Sequence, residues 1–302
     1  AFVFARIGPS TSNDNWIRPL IVLVVLNFSP AYEALFQRNP ELLELILISA
    51  AMWAFLCHRE FLTGVLIALA TGIKFLPGIL ILYLLISGKR KAAWTAIFST
   101  VIIALLTQGL LGWQNNATLT YLVTGKDPYL DTIYHKSPTN QSISGLVIRT
   151  MDDLGIRTGH ILVSRIVIII AGLAVVRWVW RRRRDGNWML HWSILLIAAV
   201  FLLPHNQPYY LCLLIPAYVV ALRQLCVGAP QWQWLIFWLS YLTVAWPIPL
   251  SIIQTVVFKD TWLIQLLYQW SIPIYGSIGL VIVLITSSNG LESKAKISPH
   301  IN

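Results

Sequence analysis

Charge is scarce in this chain. Only 11% of its 302 residues are Asp, Glu, Lys or Arg, about half the share of a soluble domain. Cysteine is equally sparse. Cys57, Cys212 and Cys226 lie in or beside apolar segments with no Cys-x-x-Cys spacing, so neither a disulfide framework nor a metal site is expected. Asp127, Asp131, Asp152 and Asp153 form no recognisable cluster, and no metal or other cofactor is predicted. No string recurs and segment lengths are irregular, which speaks against the internal repeats common in transporters.

Apolar sequence fills the space that charge leaves. Hydrophobic residues make up 57% of the chain, and several stretches approach the roughly 18 apolar residues of a spanning helix. The reading is an all-α, polytopic transmembrane bundle, one domain over residues 1–302. The net charge of +10 sits in short runs between apolar tracts. Such runs set membrane topology and do not form a nucleic-acid patch. The opening AFVFARIG reads as the end of a helix, so further sequence is expected upstream of Ala1.

Basic residues orient the segments. His58-Arg59, Lys89 to Lys91, Arg181 to Arg184, Arg223, and Lys294 with Lys296 are assigned to the cytoplasm. The segments 17–28, 92–112, 188–203 and 232–250 then run outward. The segments 41–56, 161–180, 211–226 and about 263–287 run inward. The tract from Phe61 to Ser87 starts and ends on cytoplasmic charge, so it makes a round trip. Its 27 residues span only about 40 Å as helix, too short for two crossings of a core roughly 30 Å thick. Two short helices meeting at Lys74 and Pro77 satisfy both facts, and they bring the total to about nine or ten membrane segments. Lys74 would then lie at the floor of an outward cavity. A snorkelling lysine on one tilted helix is the alternative.

Three polar segments fall on the outer face. Residues 113–160 form the longest, with Ile143, Leu146, Val147, Met151 and Leu154 at helical spacing. That predicts an interfacial helix near 142–156, capped by Asn140 or Ser142. The others are FSPAYEALFQRNP at 28–40 and PHNQPYY at 204–210.

In order, these elements resemble the polytopic glycosyltransferases of the GT-C class, most closely glycosyltransferase family 87. Gln37 and Asn39 fit the family's Gly-Gln-x-Asn element, with Phe36 in place of glycine. The tract from Thr63 to Lys91 fits its apolar Ile-Lys-x-x-Pro segment. Asn140, Gln141, Ser142, Gly145 and Arg149 fit its Asn-Gln-Ser element. LPHNQPYYLCLLIP matches a later element loosely, with Tyr209 and Tyr210 where paired histidines usually stand. The last 80 or so residues match no family element.

The resemblance implies an inverting enzyme of the plasma membrane that works at the outer leaflet. It would move a mannose-like hexose from a polyprenyl phosphate to a lipid or glycan acceptor. Lys74 and Arg149 would bind the donor phosphate. Gln37, Asn39, Asn140, Gln141, Tyr209 and Tyr210 would contact sugar or acceptor. His205 is a candidate proton shuttle, and the main base is expected upstream of Ala1. Lipids are the other partners, and nucleic acid is not among them. A transporter or flippase for a lipid-linked substrate, and a non-catalytic subunit of envelope assembly, are the alternatives.

Overall fold

A computed structural model describes residues 14–111, 137–156, 158–203, 206–246 and 262–297. Every regular element among them is helical. Helix α1 (Asp14–Leu26) leads into α2 (Ser29–Phe36), and the two are bent by 44°. The outer turn expected at 28–40 is therefore mostly helix. Pro30 sits in the first turn of α2, where a missing N–H breaks no intrahelical bond.

Helices α3 (Glu41–Leu56), α4 (Glu60–Ile73), α5 (Ile79–Ile86) and α6 (Arg90–Leu111) follow, with a 3₁₀ turn at Leu76–Gly78 between α4 and α5. The tract around Lys74 is thus two short helices. Lys74 adopts an extended backbone at the end of α4, φ −147° and ψ 145°. Pro77 cannot donate the bond that a continuous helix would make to the Ile73 carbonyl. The two arms return to one place, since Lys89 Nζ lies 3.8 Å from Glu60 at the far end. At 14 residues, α4 rises about 21 Å, so the hairpin tip stops short of a full crossing. Gly64 fixes α4 tightly on α6: a Cβ there would lie 2.5 Å from the Ala92 carbonyl oxygen. Small residues allow this close approach.

The second half comprises α7 (Ile143–Asp153), α8 (His160–Arg182), α9 (Trp188–Leu202), a 3₁₀ stretch at Pro208–Leu214, α10 (Ile215–Leu225), α11 (Gln231–Ala245), α12 (Trp262–Gln269) and α13 (Ile272–Ile297). The sequence suggests one helix over 263–287, but the chain breaks at Trp270–Ser271. Ser271 has φ 51°, and Pro273 cannot donate back to Gln269.

The stretch 208–225 is the centre of the bundle: every residue from Leu211 to Leu222 is buried. Phe28, Phe237 and Tyr241 pack around its Tyr218, each in ring contact with it. At the periphery the pattern inverts. Helix α8 exposes Leu162, Ile166, Ile169, Ile170 and Leu173. Apolar exposure on that scale is stable against lipid and not against water. Among the described residues three helices are long and apolar enough to cross a membrane, or four if α1 and α2 form one bent span. Helices α4 and α9, residues 76–86 and the start of α13 are apolar but shorter.

Helix α7 forms where the sequence places a short helix. Its buried residues are Ser144, Gly145 and Ile148, and Ser144 Oγ lies 2.6 Å from Ser164 Oγ on α8. The apolar residues at helical spacing, Ile143, Leu146, Val147 and Met151, are half-buried, and Leu154 is exposed. Small polar side chains win that interface because they let two helices approach closely.

Candidate functional site

Lys74 does not stand alone. Its Nζ donates to Glu41 at the start of α3 and, over 2.9 Å, to the Tyr210 hydroxyl. The ammonium also faces the Tyr210 ring at 4.1 Å and the Tyr209 ring at 5.6 Å. Those two rings stack at 5.1 Å. Such cation–π contacts strengthen where water is excluded. The Lys74 side chain keeps 25% exposure, whereas Glu41 is fully buried. Three sequence-distant segments therefore meet on one cation.

Local chemistry explains each arm. Glu41 and Glu44 open α3, where the helix dipole favours negative charge. Three residues apart, they share a helix face. Tyr209 and Tyr210 lie on the seven-residue 3₁₀ stretch begun by Pro208, longer than the usual three or four. Glu44 is fully buried, and neither of its carboxylate oxygens has a hydrogen-bond partner. Sequence reasoning missed both glutamates because they lie just past the polar segment 28–40 and belong to no motif. The available signal was their expense: two acids three apart at the head of an apolar helix ask for a buried cation.

A second node lies next to the first. Asn140 Oδ1 accepts from the backbone N–H groups of Ser142 (3.2 Å) and Asn206 (3.0 Å). Gln141 donates through Nε2 to the Pro138 and Tyr268 carbonyls at 2.6 and 3.0 Å. Its backbone N–H donates to the Asn206 carbonyl at 2.6 Å, and Asn206 Nδ2 donates back to the Gln141 carbonyl at 3.3 Å. Ser142 caps α7 by accepting from Gly145 N–H at 2.9 Å. Gly145 is required there: a Cβ would lie 2.7 Å from the Asn140 carbonyl oxygen.

Arg149 braces this loop from below. One guanidinium nitrogen donates to the Ser137 and Asn140 carbonyls at 2.8 and 3.0 Å, and the other donates to the Ser271 hydroxyl. Burial pulls its pKa below the ordinary value, and the Asp153 carboxylate pushes the other way. The group remains charged throughout. Arg149 Nε and Gln141 Oε1 are buried without a partner.

Gln37, exposed, and Asn39, half-buried, form a third group. Gln37 Nε2 donates to Glu33 at 3.0 Å, and Asn39 Nδ2 donates to Gln37 Oε1 at 3.1 Å. Glu33 is within electrostatic reach of Tyr209 and Tyr268, so this chain borders the other two nodes. His205 lies outside the described residues, as do Asp127 and Asp131. No three His, Cys, Asp or Glu side chains converge as a metal site among the described residues.

A half-buried cation at the tip of a helical hairpin, flanked by paired tyrosines and a buried acid, sits within an all-helical bundle that carries helices long and apolar enough to cross a membrane. Residues 1–204 match the family model of glycosyltransferase family 87. The chain belongs to that family and is a membrane glycosyltransferase, which implies a sugar donor and an acceptor. No curated protein matches it, and no solved structure does.

Proposed function

We propose that this protein transfers a mannose-like hexose from a polyprenyl-phosphate donor to a lipid or glycan acceptor, with inversion, at the outer leaflet of the plasma membrane. The observation that carries the reading is Lys74, held at a hairpin tip and partly open. A lipid-borne phosphodiester can reach such a depth from the bilayer and gain a charge-assisted bond there. In the transition state, negative charge grows on the departing phosphate, and a fixed ammonium stabilises it more than it stabilised the ground state.

Tyr209 and Tyr210 present ring faces and hydroxyls beside that ammonium, which suits a sugar ring attached to the phosphate. Gln37, bonded to Glu33, and Asn39, bonded to Gln37, contribute hydroxyl-binding amides from the rim. Asn140, Gln141 and Arg149 serve mainly as positioning residues. Their partners are largely backbone, and they hold the segment 206–210 that carries both tyrosines. Arg149 Nε and Gln141 Oε1 are what these side chains have left for a ligand.

The test is direct. The protein in lipid nanodiscs is given radiolabelled polyprenyl-phosphate mannose and a panel of lipid and glycan acceptors. Label appearing in acceptor supports the reading. Movement of intact donor across a vesicle bilayer, with no transfer, would replace it with a flippase.

A further inference from the structure

The Lys74 node contains one acid too many. Glu41 and Glu44 are both fully buried, and between them they have one ammonium. Glu41 Oε1 takes it, while Glu41 Oε2 and both Glu44 oxygens have no partner. Among the described residues, the titratable and charged groups facing the cluster are Lys74 from the end of α4, Tyr209, Tyr210 and Cys212 from the central stretch, and Glu33 from the α2 side. Lys74 alone among them is a cation. Two buried carboxylates against one ammonium leave a net negative charge in a site of low dielectric. An unpaired buried carboxylate is costly enough that such a group takes a proton instead. The inexpensive state is one ion pair, Lys74 with Glu41, and one neutral acid, Glu44.

An incoming phosphodiester changes this count. It carries one negative charge to an ammonium that already has a carboxylate. If Glu41 stays, the phosphate is unpaired; if Glu41 leaves, it is a bare buried carboxylate beside the neutral Glu44. Charge balances again only when one proton enters from solvent.

We propose that Glu41 is a displaceable internal stand-in for the donor phosphate, and that the Glu41–Glu44 pair takes up one proton as the phosphate replaces it on Lys74. This rests on the reading of Lys74 as a phosphate site. It adds an acid-coupled step that no motif in the sequence announces. When the phosphate departs, Glu41 returns to Lys74 and the proton returns to solvent. The sign is fixed: affinity for the phosphodiester is highest at low pH and falls as the pair loses its proton.

Titration calorimetry tests this with the whole chain in nanodiscs. The probe is farnesyl methyl phosphate, a diester that lacks the second ionisation near pH ~6 of a monoester. Binding is measured in buffers of different ionisation enthalpy and over a pH series. The expected result is uptake of about one proton per diester, with affinity falling up to about tenfold per pH unit on the alkaline side. E41Q/E44Q removes both acids and should bind without proton uptake and without that slope. The wild-type proton count decides the matter by itself if that variant does not fold. Binding with no proton exchange would overturn the displacement and leave the phosphate site standing. No binding at any pH would overturn both.

Discussion

Lys74 and Arg149 look alike in the sequence, each a lone cation beside a polar motif, yet they sit in opposite kinds of surroundings. Lys74 is paired with a buried acid and keeps a quarter of its side chain exposed. Arg149 spends its guanidinium on two carbonyls and a hydroxyl that hold one loop in place. A cation facing displaceable partners can exchange them for a ligand. A cation tied to backbone carbonyls has nothing to exchange without undoing the loop. Under the proposed function, ligand binding falls to the hairpin tip and support to the Asn-Gln-Ser loop.

The largest break in that contrast should come from Lys74→Met. Alone, it leaves Glu41 as an uncompensated buried charge, at a cost of about 3–5 kcal/mol, so lost activity and lost stability would be confounded. Pairing it with Glu41→Gln should restore the melting temperature to near wild type while sugar transfer stays down by about 100-fold or more. Thermal shift and transfer rate, measured together, separate the two effects.

Arg149→Ala should do the reverse. Losing three charge-assisted bonds should cost about 3 kcal/mol of stability, with transfer per folded molecule little changed. Arg149→Lys should rescue only part of this, because a compact ammonium cannot copy a planar fork. Denaturation in detergent, followed by activity normalised to folded protein, checks both variants. If Arg149→Ala abolishes donor binding at full stability, the contrast fails.

Gln141→Leu should behave as a weaker Arg149 variant, losing about 1–3 kcal/mol because the Pro138 and Tyr268 carbonyls lose their donor. Tyr210→Phe should have the smallest effect. It keeps the ring over the ammonium and removes one hydrogen bond worth about 1 kcal/mol. The expectation is a severalfold rise in the donor KM with kcat nearly intact, read from initial rates.

Much of this was legible in the sequence. Basic residues at both ends of 61–87, with Lys74 and Pro77 between, were enough to call for a broken round trip, and the chain forms one. A helix near 142–156 capped by Asn140 or Ser142 also follows from residue type, and the chain forms it at Ile143–Asp153 with Ser142 as the cap. The break at Ser271 was not legible, because Pro273 sits early enough to pass for the body of a longer apolar helix. Nor was the triad of Glu41, Lys74 and Tyr210. Periodicity and capping are local signals, whereas these residues are joined only by packing. The residues by which α7 packs on α8 were not legible either: hydrophobicity marks the face that avoids water, and beside a membrane that face need not be the one that packs on protein.

The central claim is that Lys74 holds the donor phosphate. Equilibrium binding of a polyprenyl-phosphate sugar to the paired Lys74→Met, Glu41→Gln variant in nanodiscs tests it most directly, with Arg149→Ala measured alongside. The account predicts that the paired variant loses about 100-fold in affinity, near 2.7 kcal/mol, while folded Arg149→Ala protein binds within a few-fold of wild type. Wild-type affinity in the paired variant would contradict it.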